Sequence, residues 1–329
     1  MLIISTGCPA GVGPEVSVAA AARLRSARCV LVGDTGTLRR AAERVGVESQ
    51  RLVAFDGRTP RPGQLALQQA GPVLRASDCR PGRPSRRAGA AQLDYIARAY
   101  ELALSQPERA LVTAPVSKAA VARSGHPAAR GFTGHTEWLE ERDGARSSVM
   151  CFWAPRFATS LVTTHLPLGD VPRALSPEGV AEATLQLAEL LRRAGSDSPH
   201  IAVASLNPHA GESELLGSEE RQAIAPGVQR ARRRLAGRAR ITGPVGAETA
   251  YRLCRAGHYQ GVVAMYHDQA TIPMKLVAFG TAVNVTMGLS IVRTSVDHGT
   301  GYDIAWQGRA DARGMLSALG LARRLAKSP

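Results

Sequence analysis

Seven short β-branched or apolar runs punctuate this chain: "LIIS", "CVLVG", "ALVTAPV", "FATSLVTTH", "HIAVASLNP", "GVVAMYHDQ" and "AVNVTMG". Between several of them lie segments with apolar residues at helical spacing, such as "AAQLDYIARAYELALS" and "SPEGVAEATLQLAELLRRAG", the second opening on a Ser-Pro-Glu cap signal. That alternation specifies an α/β sheet covered by helices. No internal repeat is visible. Residues 57 to 89, rich in Gly, Pro and Arg with little periodicity, read as a long surface excursion containing a hairpin rather than as a domain boundary.

With 329 residues, 44% of them hydrophobic, the chain can bury a full core as one large or two moderate domains. Polar strand ends must converge from distant parts of the sequence, which favours two lobes. We expect a discontinuous α/β lobe, 1–130 plus 275–329, and a second lobe, 131–274. The five cysteines are odd in number and lack CxxC spacing, so they read as reduced thiols, neither a disulfide framework nor a thiolate zinc site. "MLIISTG" lacks the basic start of a signal peptide and no apolar run approaches a membrane span, so a soluble cytoplasmic protein without a membrane partner is expected.

The net charge of +14 would suit nucleic acid, an anionic membrane surface or small anionic substrates. The arginines concentrate in "CRPGRPSRR" and "RARRRLAGRAR", while aromatics make up 4% and do not interleave with them as a base-stacking platform requires. These stretches read as a solvated arginine-rich surface, and no nucleic-acid partner is expected.

Three apolar runs finish in a histidine, at His165, His209 and His267. Neutral imidazoles at strand ends suit a borderline divalent metal such as zinc or cobalt, and three protein ligands leave positions open for substrate or water. Sequence-remote ligands have no diagnostic spacing, so on the residues alone a hydrogen-bonded structural role stays equally open. A second set, His135 and Thr136 in "GFTGHTEW" with Lys275, Asn284 and Arg293 around "MKLVAFGTAVNVTMGLSIVRTSVDHGTG", looks like anion recognition. Taken singly, each is also compatible with a surface charge or a core donor. "STGCPAGVGPEV" joins a strand to a helix, and its glycines permit close backbone approach to a ligand, but it has neither dinucleotide GxGxxG nor P-loop spacing.

Assembled in order, "GCPAGVGPEV", "VTAPVSK", "GFTGHTEWLEER", "TTHLPLGDVP", "LNPHAGE", "MYHDQ", "VNVTMGL" and "RTSVDHGT" resemble the 4-hydroxythreonine-4-phosphate dehydrogenase (PdxA-like) family of vitamin B6 biosynthesis almost end to end. The resemblance implies a two-lobed α/β/α fold like that of isocitrate and isopropylmalate dehydrogenases, with the active-site cleft between lobes, 1–130 plus 275–329 forming the cofactor-side lobe and 131–274 the metal-binding and dimerisation lobe. It also implies a homodimer whose sites are shared between subunits. It makes His165, His209 and His267 the metal ligands, His267 coming from the partner subunit, for one divalent ion: zinc, with magnesium or cobalt as alternatives. It makes His135, Thr136, Lys275, Asn284 and Arg293 the holders of a small phosphorylated substrate. "DHGTGYDIAWQG" is similar to the loop that wraps the adenosine end of NAD, implicating His298, Gly299, Thr300 and Asp303 in binding NAD or NADP. Lys275 or Asp268 would relay protons, Asp268 alternatively only orienting His267.

The implied reaction is NAD-dependent, metal-dependent oxidation and decarboxylation of 4-phosphohydroxy-L-threonine to 3-amino-2-oxopropyl phosphate. The alternative is a paralogue acting on another phosphorylated hydroxy acid, such as a phosphorylated threonate or erythronate, or on a dihydrodiol carboxylate. A metal-dependent hydrolase or lyase without NAD is disfavoured by the intact histidine-glycine loop. Four residues depart from the family pattern: Cys8 for an acidic residue, Glu248 for aspartate, and Ala270 and Trp306 for glycine. They bear on the substrate more than on the reaction class.

Overall fold

The computed structural model describes residues 1–145 and 147–327. In chain order the strands are β1 (Leu2–Ser5), β2 (Cys29–Gly33), β3 (Leu52–Ala54), β4 (Leu65–Gln69), β5 (Cys79–Arg80), β6 (Arg83–Pro84), β7 (Ala110–Thr113), β8 (Val149–Ala154), β9 (Phe157–Leu161), β10 (His200–Ala204), β11 (Arg240–Val245), β12 (Gly261–Ala264), β13 (Val283–Met287) and β14 (Val292–Val296). The helices are α1 (Gly13–Arg23), α2 (Thr35–Arg44), α3 (Arg86–Leu104), α4 (Lys118–Ala122), α5 (His135–Asp143), α6 (Val171–Ala174), α7 (Pro177–Arg193), α8 (Ala225–Arg234), α9 (Ala247–Arg255), α10 (His267–Ala278) and α11 (Arg313–Leu325). Two compact units result, one of Met1–Arg146 with Leu289–Lys327, the other of Ser147–Gly288. The chain passes between them at 146/147 and 288/289, against the 130/131 and 274/275 expected; residues 328 and 329 of that expectation lie outside the described residues.

In the first unit the strands run in the order β14-β7-β1-β2-β4-β3, every neighbouring pair parallel. Parallel strands buried on both faces are continuously apolar, as "LIIS" and "CVLVG" are. On one face Ile3, Val30 and Val32 join Tyr95 and Ile96 of α3 in the core. Ser85 caps α3 by accepting the Ala88 N–H at 3.1 Å. The stretch 57–89 differs from its expectation: besides the short β5–β6 hairpin it contains β4, a core strand with Leu65, Ala66 and Leu67 buried. Its five residues are too few to show a period amid the flanking Gly, Pro and Arg.

The second unit has the order β11-β10-β12-β9-β8-β13, parallel from β11 to β9 and antiparallel through β8 and β13. Helix α7 covers one face, its first turn closed by Ser176 accepting the Gly179 N–H. On the other face α9 and α10 bury Ala250, Cys254, Ala270 and Met274 against β10, β12 and β9. All five cysteines are buried and free of disulfides. Among the described residues no helix is long and apolar enough to cross a membrane.

Candidate active site

In a parallel sheet the carboxyl ends of neighbouring strands share one edge, and the loops leaving that edge hold the ligand-binding side chains. In the first unit Ser5 pairs with Thr113, and Thr113 with Ser295, so the loops after β1, β7 and β14 leave side by side. The β1–α1 loop is packed at backbone distance: a Cβ on Gly13 would stand 2.3 Å from the Thr6 carbonyl oxygen, so that position accepts only glycine. Its neighbour Val12 donates its N–H to the Thr300 carbonyl oxygen at 2.9 Å, tying this loop to the histidine-glycine loop.

Arg293, on β14, is 3% exposed and donates through Nη2 to Thr113 Oγ1 at 2.8 Å, with Nη1 at 3.5 Å from Thr136 Oγ1. Burial pushes its pKa down to about 10, against the opposing pull of Glu137, so the guanidinium remains charged at neutral pH. His135 and Thr136 open α5, whose nine residues direct free N–H groups toward their N-terminal side. The His135 Nε2 is sealed from solvent with no hydrogen-bond partner among the described residues. Burial first, then the charges of Arg293 and Lys118, hold this imidazole well below its usual pKa, hence neutral. A neutral imidazole, a charged guanidinium, a threonine hydroxyl and a helix N-terminus are a set of groups that could together receive an anion. Lys118 and Thr113 belong to it although only the motif "VTAPVSK" hinted at them; Lys118 Nζ comes within 3.6 Å of where a Cβ on Gly134 would stand.

In the second unit β10, β12 and β9 are consecutive neighbours, and His209, His267 and His165 follow their respective carboxyl ends. The His165 and His267 rings stand side by side, centroids 5.6 Å apart. His267 begins α10, and its Nδ1 lies 2.8 Å from Asp268 Oδ1. Because a carboxylate only accepts, that contact puts a ring hydrogen on Nδ1. His209 lies in a run of left-handed backbone, φ 52° at His209, 55° at Ala210, 43° at Glu212 and 56° at Ser213. That loop is latched by buried Glu220, which accepts from the Leu206 and Asn207 N–H groups and the Asn207 side chain at 2.8–2.9 Å. Nothing in the sequence singles out Glu220, since a glutamate ahead of a helix carries no distinguishing signal. Among the described residues no group of three or more His, Cys, Asp or Glu side chains is placed so that it could hold a metal ion.

The remaining candidates are dispersed. Lys275 is exposed, about 12 Å along α10 from His267 at 1.5 Å per residue. Asn284, on β13, has its Oδ1 buried without a partner among the described residues. His298 and Asp303 are exposed, and the His298 Nδ1 lies 2.9 Å from the Gly299 carbonyl oxygen.

Residues 25–322 match the model of the family described as pyridoxal phosphate biosynthetic protein PdxA. The chain belongs to the PdxA family. The 4-hydroxythreonine-4-phosphate dehydrogenase of Desulfosudis oleivorans is 39% identical over 97% of this chain and 94% of its own. The crystal structure of the Klebsiella pneumoniae enzyme of that name superposes with a TM-score of 0.84 at 35% identity, covering 99% of both chains. A terephthalate 1,2-cis-dihydrodiol dehydrogenase from Burkholderia xenovorans is more distant, at 27% identity and a TM-score of 0.71 over 98% of this chain and 97% of its own. As a PdxA-family member the chain is an oxidoreductase acting on CH–OH groups.

Three of the departures from the PdxA pattern have structural counterparts. The thiol of Cys8 is buried 3.4 Å from the Tyr302 hydroxyl, and burial raises its pKa, so it offers no charge where the family usually has an acid. Ala270 is fully buried in the α10 core, and Glu248 is exposed and paired with Arg252 at 3.0 Å.

Proposed function

We propose that this chain oxidises and decarboxylates 4-phosphohydroxy-L-threonine to 3-amino-2-oxopropyl phosphate, using NAD or NADP and a divalent metal ion, in pyridoxal phosphate biosynthesis. The observation that supports the substrate class is the grouping of Arg293 and Thr136 with His135 at the start of α5, the buried His135 Nε2 having no hydrogen-bond partner among the described residues. Arg293 and the α5 N-terminus would take the phosphate oxygens, Lys118 adding charge, and neutral His135 would donate one hydrogen bond.

His165, His209 and His267 are proposed as the metal ligands, His267 being supplied by the partner subunit, and the neighbouring imidazoles of His165 and His267 at this sheet edge are donors that suit a divalent ion. A bound divalent ion would supply Lewis acidity to the substrate hydroxyl and a bound nicotinamide would accept the hydride. Asp268, 2.8 Å from the His267 Nδ1, would orient that ring or relay protons, and Lys275 and Asn284 are proposed to contact substrate, Lys275 also as a proton relay. His298, Gly299, Thr300 and Asp303 are proposed to line the dinucleotide site, close to the glycine-rich β1–α1 loop that Thr300 contacts.

A homodimer is part of the proposal. Ile272, Leu276, Val277 and Phe279 are 59%, 82%, 42% and 81% exposed on and just after α10, an apolar surface of the kind that marks an association face.

The test is turnover: purified protein, 4-phosphohydroxy-L-threonine, a divalent ion and NAD or NADP should yield reduced nicotinamide and carbon dioxide together. The distant likeness to the dihydrodiol dehydrogenase favours including cis-dihydrodiol carboxylates and other phosphorylated hydroxy acids in the same panel. A preference for any of those over 4-phosphohydroxy-L-threonine would reassign the substrate.

A further inference from the structure

A pocket of about 560 Å³ in the first unit lies outside the anion site described above. Arg40 and Arg44 from α2, Arg80 from β5 and the indole of Trp306 line it, with Glu43 as its one acidic lining residue. Among the described residues, Arg40, Arg44 and Arg80 make no ion pair to a carboxylate. Three guanidiniums facing one cavity repel one another, and each gains from a multiply charged anion that takes paired N–H donors.

The aromatic wall is held unusually firmly. Trp306 has φ 62°, a region costly for a bulky side chain, and two buried contacts keep it there. Its backbone N–H donates to Glu15 Oε2, while the other oxygen of that 1%-exposed carboxylate accepts the Gly308 N–H at 2.8 Å. The indole N–H donates to the Pro9 carbonyl oxygen at 3.0 Å. Arg40 stacks over the ring, Cζ 5.4 Å from its centroid, so the wall is a rigid π–guanidinium surface on which a planar heterocycle would stack. The pocket's aromatic wall lies on the same loop as the proposed dinucleotide residues: Trp306 follows Asp303 by three positions, and Gly82 of the β5–β6 hairpin donates to the carbonyl oxygen of Ala10, next to the Pro9 that holds the indole.

We propose that this pocket binds an adenosine carrying a phosphate monoester on its ribose, the 2′-phosphorylated end of NADP, and so selects NADP over NAD. Arg44 and Arg80 take the 2′-phosphate, and the Trp306–Arg40 surface supports the base. This rests on the dinucleotide dependence proposed above, and its test reads binding rather than turnover.

Calorimetry and tryptophan emission would follow titrations of the full-length protein with 2′,5′-ADP and 5′-AMP. The expected result is binding of 2′,5′-ADP about tenfold or more tighter than 5′-AMP, as one charge-assisted contact set provides, weakened by salt, with an emission change lost in Trp306→Phe. The Arg44→Ala/Arg80→Ala double variant, exposed at both positions and expected to keep the wild-type melting temperature, should bind the two nucleotides alike. Equal affinities in the wild type, no binding of either, or a preference that survives in the double variant would each overturn the proposal. A protein that reduces NAD and NADP equally and shows no 2′,5′-ADP preference fails this inference alone. One that prefers 2′,5′-ADP through Arg44 and Arg80 but reduces neither dinucleotide fails the dehydrogenase reading alone.

Discussion

The imidazoles of His165 and His267 lie 5.6 Å apart in one chain because β9 and β12 are parallel neighbours whose carboxyl ends share an edge. A metal held there should be lost when either ring is removed. His165→Ala and His267→Ala are expected to lower bound metal per chain severely, measured by elemental analysis, without a large change in melting temperature, since His165 is exposed and His267 only half-buried. Full metal content in either variant would remove that histidine from the ligand set.

Asp268 gives a second test, because its two readings differ in kinetics. As the acceptor that orients His267, Asp268→Asn should weaken metal affinity about 10–100-fold, with turnover restored by excess metal. As a proton relay, the same change would lower kcat at saturating metal and leave affinity alone. Metal titrations of activity separate the two, and the contact at 2.8 Å favours the first outcome.

Arg293→Met should raise KM for the phosphorylated substrate and largely abolish discrimination against its dephosphorylated counterpart. A charge-assisted hydrogen bond contributes about 1.5–3 kcal/mol, so a KM rise of about tenfold to a hundredfold is expected. The side chain also anchors to Thr113, so a lowered melting temperature should accompany the kinetic change. Wild-type kinetics that are equal with and without the phosphate would refute the assignment.

His135 links the site to pH. Its folded pKa is depressed by burial, so below the unfolded value of about 6.5 the unfolded chain binds a proton that the native chain does not. Stability from this residue is therefore complete above that pH and falls as pH drops through it toward the folded value. Denaturant unfolding between neutral and mildly acidic pH should show a slope that His135→Gln reduces. An identical slope in that variant would show that the imidazole is readily protonated in the fold.

How much of this was legible in the sequence follows from what each signal depends on. Continuous apolar runs revealed β1, β2, β7, β9, β10, β12 and β13, because strands buried on both faces need such residues and little else. β4 was hidden by the Gly, Pro and Arg around it. That His165 and His267 would be neighbours required the strand order, in which β12 separates β9 from β10, and no spacing in the sequence encodes it. The departure at Trp306 was visible, but its left-handed backbone and its clasp by Glu15 and Pro9 were not, since both partners come from nearly the other end of the chain.

Glu220 supplies the last prediction, because it acts on His209 through the backbone alone. Its carboxylate, 7% exposed, satisfies two adjacent N–H groups and the Asn207 amide just before a loop whose left-handed residues disfavour their own conformation. A Cβ on Gly211 would stand 2.9 Å from Glu220 Oε2, so carboxylate and loop are packed against each other as well as bonded. Glu220→Ala leaves part-buried donors without their acceptor, at up to about 1–3 kcal/mol each, and frees the loop. The expected outcome is a lower melting temperature together with faster hydrogen exchange confined to residues near 206–214. If His209 is a ligand, metal affinity should fall too, although Glu220 is not itself one. Glu220→Gln keeps one oxygen as acceptor for the Leu206 and Asn207 N–H groups and should recover most of both effects. Loss of stability with unchanged metal affinity would show that the latch serves the fold and that His209 takes no part in holding the ion.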